Sequence, residues 1–204
     1  LSAMPSLDNR LDTLIRLLGR PAPAVNARQG DRVFNFHYEP HEWAKIRLKL
    51  PMIRKRLENA GFTPHIHSLA DLITEIFTEN ERVIEAMKKQ EHRPLAHEKH
   101  TETLYNILAK KRTGQPLDLQ SPIVQHLDAL IQKAAKISQS VLLITDVEMA
   151  HPLVRVSAFE QVLQGRFLVP TIFFYPGKRG TVGDNPSFLG VYPSDGNYRS
   201  THIY

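Results

Sequence analysis

The chain has 204 residues, a formal net charge of +5 and no cysteine, with 42% hydrophobic and 23% charged side chains and a mean hydropathy of −0.30. That composition suits one globular domain able to bury its own core, and the missing thiols exclude disulfides, CxxC redox chemistry, zinc ribbons, iron–sulfur clusters and a cysteine nucleophile. No stretch approaches the roughly 18 consecutive apolar residues of a membrane span, and no basic-then-apolar leader opens the chain, so a cytoplasmic protein without membrane contact is expected.

Leu1-Ser2-Ala3 ahead of Met4 reads as an appended remnant, with Met4 the start. Ser6 is a candidate N-cap, and Leu7, Leu11, Leu14, Ile15 and Leu18 line one helix face, stopped by Gly19 and Pro21. Breakers fill residues 20–31, and Val33-Phe34-Asn35-Phe36-His37-Tyr38 reads as a half-buried strand. Residues 42–60 form a helix whose seam is Trp43, Ile46, Leu50, Ile53, Leu57 and Ala60, with a kink or break expected at Pro51. Gly61 terminates it in a left-handed turn. A short strand follows at 63–67, and Ser68 with Asp71 opens the next helix.

Residues 69–139 read as helix throughout, far more than one crossover requires, and are expected to be a helical insertion within a single domain spanning 1–204. Leu69, Leu72, Ile73, Ile76 and Phe77 form the first stripe; residues 95–111 form another helix; Ser121-Pro122 opens a third. Val141-Leu142-Leu143-Ile144-Thr145 has the continuous apolar character of a central parallel strand. A helix over 153–164 and a strand over 167–175 complete a strand–helix–strand crossover. Two short strands, at 188–192 and 198–204, are expected to finish the sheet as antiparallel additions. The fold class is therefore α/β: a mostly parallel sheet flanked by helices, with a helical insertion and antiparallel strands at the C-terminal end.

The run from Leu142 to Asp146, with Glu148 behind it, has the outline of a Walker B strand, where an Asp at the strand end helps hold Mg²⁺ on a nucleotide. Its companion GxxxxGK[ST] occurs nowhere; Pro176-Gly177-Lys178-Arg179-Gly180-Thr181 has the ingredients in the wrong order. Asp146 is read as a polar strand terminus. The ten histidines include the pairs His97/His100 and His65/His67, with His92 near the first, but neither pair brings a third ligand into register, so no metal site is expected. Lys45, Arg47, Lys49, Arg54, Lys55 and Arg56 spread round the free faces of their helix, which reads as a solvated surface, the alternative being a phosphate-backbone contact. No GxSxG elbow, Ser-His-Asp set or paired carboxylates are evident, so no catalysis and no cofactor are expected. Because open α/β sheets bind ligands at the carboxyl ends of their strands, Glu39, Asp146, Glu148, His151, Arg155, Tyr175 and Gly177 are the candidate ligand-edge residues.

The last third carries the distinctive pieces: His151-Pro152, Val169-Pro170-Thr171-Ile172-Phe173-Phe174-Tyr175-Pro176-Gly177, Phe188-Leu189-Gly190 and Asn197-Tyr198-Arg199-Ser200. With the strand exit Tyr38-Glu39-Pro40, they resemble BrxB, the small B component of BREX bacteriophage-defence operons, from about Met4 to the C-terminus. The resemblance implies a non-enzymatic cytoplasmic component of a phage-exclusion and host-methylation system. There a DNA methyltransferase, a large ATPase, a PglZ alkaline-phosphatase-like protein and a Lon-like protein carry the recognisable chemistry. It further implies an adaptor that binds another BREX protein, PglZ first, and the docking surface is expected at sheet-end residues Tyr175, Tyr198, Arg199 and Tyr204, since Tyr and Arg are common interface anchors, or at an amphipathic helix face. A degenerate nucleotide- or nucleic-acid-binding module of the same system is the alternative.

Overall fold

The computed structural model describes residues 4–20, 32–90, 96–178, 187–189, 191–192 and 200–204. The elements follow in the order α1 (Leu7–Leu18), β1 (Val33–Tyr38), α2 (Trp43–Asn59), β2 (Thr63–Ser68), α3 (Leu69–Glu79), α4 (Glu81–Lys88), α5 (Ala96–Ala109), α6 (Pro122–Ala134), β3 (Ser140–Thr145), α7 (Val156–Val162), β4 (Thr171–Lys178), β5 (Ser187–Phe188) and β6 (Thr201–Ile203). Short 3₁₀ turns sit at Pro40–Glu42 and Val147–Ala150.

Strand order in the sheet is β2-β3-β4-β1-β6. The β2–β3, β3–β4, β4–β1 and β1–β6 pairs are all parallel, with Val33 opposite Thr171 and Phe34 opposite Thr201. Of the two C-terminal strands, β5 is antiparallel as expected, pairing Gly177 with Phe188. The other, β6, departs from the expectation: it lies parallel to β1 at the edge of the sheet.

Strand alternation sorts the core into two layers. Phe34, Phe36, Tyr38, Val141, Leu143, Ile172, Phe174 and Ile203 face α1 and α2. Leu142, Ile144, Phe173 and Tyr175 face the opposite layer, where residues of α3, α5, α6 and α7 share one core with them. Both faces being covered, β1 is buried at all six positions, not half-buried as its sequence suggested. Phe173 is fully buried and stacks on Phe159 with 6.3 Å between ring centroids; losing such a ring costs about 3–5 kcal/mol.

Several local signals read from the sequence hold. The Ser6 hydroxyl accepts from the Asn9 N–H and Ser68 accepts from Asp71 N–H, while Gly61 sits at φ +88°. Others shift. No break occurs at Pro51, and α2 runs through it from Trp43 to Asn59, because Ile46, Ile53 and Leu57 hold both halves on the sheet. Trp43 and Ala60 fall outside that buried seam. Helix α7 is shorter than expected, and β4 starts at Thr171 instead of residue 167. Ser121 does not cap α6 with its side chain; its hydroxyl accepts from the Asp118 N–H and donates to the Asp118 carboxylate. Among the described residues no helix is long and apolar enough to cross a membrane.

Candidate functional site

The parallel strands bring Tyr38, Asp146 and Tyr175 to one edge of the sheet. Asp146 leaves β3 in the left-handed region, φ 56° and ψ 37°, which costs a non-glycine residue free energy unless neighbouring contacts fix it. Here its Oδ2 accepts from the Thr145 hydroxyl at 2.9 Å. Two residues on, Glu148 Oε2 accepts from the Tyr38 hydroxyl at 3.3 Å. Burial pushes the Glu148 carboxyl up and the charge of Asp146 adds to the rise, while hydrogen bonding, from its own backbone N–H first and then from Tyr38, only partly offsets it. The Tyr38 phenol is raised far more strongly, again by burial first and by Glu148 second. One carboxylate thus fastens the Val147–Ala150 turn to the end of β1.

Further along this edge, His151 precedes Pro152 through a cis peptide bond. Its ring lies 4.3 Å from Tyr192 and 5.2 Å from Phe188, and burial, then the Arg155 charge, lower its pKa. Arg155 itself is the residue before α7. Gly177 is required: a Cβ there would stand 2.2 Å from the Ser187 carbonyl oxygen, so only glycine lets β5 pair with β4. Tyr175 is buried, edge-on to Phe188 at 5.2 Å and 4.9 Å from His37. Glu39 precedes the Pro40–Glu42 turn and contacts exposed His41 at 3.2 Å. Tyr198 and Arg199 lie outside the described residues.

A second polar assembly, not anticipated from the sequence, runs beneath this edge between β1, α7 and β6. Asn35 Nδ2 donates to Glu160 Oε1 at 3.1 Å and to the Ser200 hydroxyl at 2.7 Å, and that hydroxyl donates to Glu160 at 2.8 Å. His37 Nε2 and His202 Nδ1 are 2.7 Å apart, one ring donating and the other accepting. Tyr204 stacks on His37 at 4.4 Å. Burial keeps both imidazoles neutral, driving the His37 pKa well below its ordinary value, with His202 and Arg10 contributing after burial. A signal existed: Asn35 and His37 are polar residues at i and i+2 in a strand buried on both faces, and buried polar groups require partners.

On the other face of β1, Arg10 of α1 is only 1% exposed. It donates to the His37 carbonyl at 2.6 Å and to both Glu42 oxygens at 2.9 and 3.2 Å, and lies over the Phe36 ring. The other basic residues divide in two. Arg56 pairs with Asp8 and Asp12, Lys55 with Glu58, and Arg54 donates to the Pro64 carbonyl. Lys45, Arg47 and Lys49 have no carboxylate at ion-pair distance among the described residues, and Arg47 stacks over the Trp43 ring at 5.0 Å.

Among the described residues no three His, Asp or Glu side chains gather as a metal site. His65 is engaged with the Ser140 hydroxyl at 3.0 Å. Of the seven edge residues, Asp146 is held by Thr145, Glu148 by Tyr38, His151 by Tyr192 and Tyr175 by Phe188.

No curated protein gives a significant match to the chain. A family model described as BREX protein BrxB does match, over residues 66–203, which takes in β3, the Val147–Ala150 turn, β4 and β6. That match covers well over half of the sequence, and the chain belongs to the BrxB family, components of BREX phage defence.

Proposed function

We propose that this chain serves BREX as a non-enzymatic adaptor in the cytoplasm, binding another BREX protein, with the PglZ-like phosphatase-superfamily component its first partner. The observation carrying this reading is how the edge acids are used. Glu148 is held by Tyr38, Asp146 by Thr145, and Glu160 by Asn35 and Ser200, each within the protein. These groups hold the edge together.

The test is affinity purification of the tagged chain from cells carrying the whole operon, followed by mass spectrometry. Recovery of the PglZ-like protein in stoichiometric amount supports the adaptor, and a chain that always elutes alone defeats it. Lys45, Arg47 and Lys49 favour a second reading, a nucleic-acid-binding module. That reading requires DNA affinity falling steeply between low and moderate salt. Its nucleotide version requires Asp146→Ala to abolish defence while the protein stays folded.

A further inference from the structure

The sheet ends on β2, whose far side pairs with no strand among the described residues. The Thr63 N–H donates toward β3, to the Gln139 carbonyl, and the Pro64 carbonyl, turned the other way, is met by Arg54. Successive residues of a strand alternate in this manner, so the N–H and C=O of Ile66 also turn away from β3. No hydrogen bond from a described residue meets either group. Sheet edges are ordinarily blunted by proline, charge or a covering element. Pro64 and Arg54 blunt the first half of β2, and the half at Ile66 stands open. A groove of about 730 Å³ lies there, lined by Ile66, His67 and Ser68 of β2, by one face of α3 and by Leu130 of α6. Ile66 packs with the α1–α2 layer, whereas Leu72 and Leu130 belong to the other layer, so the groove reaches across the edge of the strand. Its volume is that of a binding cleft.

The α3 side of the groove is negative. Asp71, Glu75 and Glu79 recur at every fourth position, which sets them on one helix face, and all three line the groove. None has a cation at ion-pair distance among the described residues. His67, the other titratable group lining it, has its pKa lowered by burial first and then by His65 and Lys133, so it is neutral near pH 7. Leu72 and Leu130 supply the apolar part of the lining. Such a site complements an extended segment carrying Lys or Arg beside apolar side chains. Main-chain hydrogen bonds to the open edge give affinity, and the groove selects the side chains. A nucleic acid would set its phosphates against three carboxylates. A second copy pairing edge to edge would bring the same three carboxylates to the junction again, and like charges so placed cost free energy.

Resting on the adaptor reading, we infer that the open edge of β2 at Ile66, with Asp71, Glu75 and Glu79 beside it, receives an extended, Lys- or Arg-bearing segment of a partner protein as an added strand. A photo-reactive phenylalanine analogue is placed at Thr74 or Thr78 of the full chain, both exposed in the groove, in cells carrying the operon. Exposed Leu48 and Leu168 are the control positions. The expected result is cross-linking from Thr74 and Thr78, not from the controls, to one protein segment rich in Lys and Arg. Glu75→Lys with Glu79→Lys should lower both cross-link yield and partner recovery about tenfold, while the melting temperature holds, since both side chains are exposed. In the purified complex, amide exchange at Ile66 should slow about tenfold or more relative to the free chain. Cross-links to nucleic acid, to a second copy of this chain, or to an acidic or neutral segment overturn the inference, as does unchanged exchange at Ile66. If the partner still co-purifies but the charge reversals leave its recovery unchanged, this groove is wrong and the adaptor stands. If no BREX protein co-purifies at all, the adaptor reading fails and takes this inference with it.

Discussion

The Arg10–Glu42 pair makes a quantitative demand on stability. Arg10 is almost wholly buried, whereas the Glu42 side chain is 18% exposed. Replacing Glu42 with Ala leaves the guanidinium with the His37 carbonyl and the Met4 sulfur as its remaining partners. Removing one partner of a buried ion pair costs about 3–5 kcal/mol, and residual access of water to Glu42 places this case near the lower end, about 3 kcal/mol. For a chain of this size that is a drop of roughly 6–12 °C in melting temperature. Urea denaturation of the wild type, Glu42→Ala, Arg10→Met and the Arg10→Met/Glu42→Met double variant measures it, and the double variant should recover much of the loss. Burial alone would raise the Glu42 carboxyl, yet the Glu39 N–H and then Arg10 outweigh it and hold it below its ordinary value. Its contribution is therefore full above about pH 4.5 and is lost as pH falls through the depressed folded value. A Glu42→Ala cost within about 0.5 kcal/mol, the range of an ordinary surface substitution, would refute the reasoning.

Three further outcomes follow from the same geometry. With the folded-state pKa values of His37 and His202 lowered, the unfolded chain binds more protons below about pH 6.5, so their contribution is complete above that pH and declines as pH falls. Unfolding free energies measured between pH 7.5 and 5.5 should therefore slope upward with pH, and a His37→Phe/His202→Phe variant that kept the wild-type slope would contradict this. Gly177→Ala should push β5 off β4 at a cost of about 1–3 kcal/mol; hydrogen exchange at residues 187–189 should accelerate, and unchanged protection there would count against the steric argument. Tyr38→Phe removes one donor from Glu148, with a cost of about 1 kcal/mol. The Glu148 carboxyl, followed by NMR titration, should move further up, and a downward movement would show that the hydroxyl does not stabilise its charged form.

Period and punctuation made most of the fold legible. The apolar run at 140–145 announced a covered parallel strand, Ser6, Ser68 and Gly61 marked helix ends, and the layers follow from alternate residues of β1, β3 and β4. Edge geometry also placed Asp146, Glu148, His151, Tyr175 and Gly177 together, because parallel strands put their exits on one side. What escaped was set by tertiary context. Trp43 keeps perfect seam spacing yet is 39% exposed, with Arg47 stacked over its ring in place of a core contact. The parallel course of β6 depends on where the chain re-enters the sheet, which three residues of sequence do not encode. The Asn35–Glu160–Ser200 assembly joins positions far apart in the chain, and nothing local at Glu160 indicates that it is buried.

The strand order carries a consequence for the order of events in biosynthesis. The first strand of the chain is enclosed by two of the last, β4 on one side and β6 on the other. Until β4 has left the ribosome β1 has no strand to pair with, and until β6 follows, its Asn35 and His37 lack their counterparts at Ser200 and His202. Pairings of such long sequence separation are slow to form. The early-emerging β1 must therefore wait with its backbone N–H and C=O groups without ladder partners, and β6 completes its pairing.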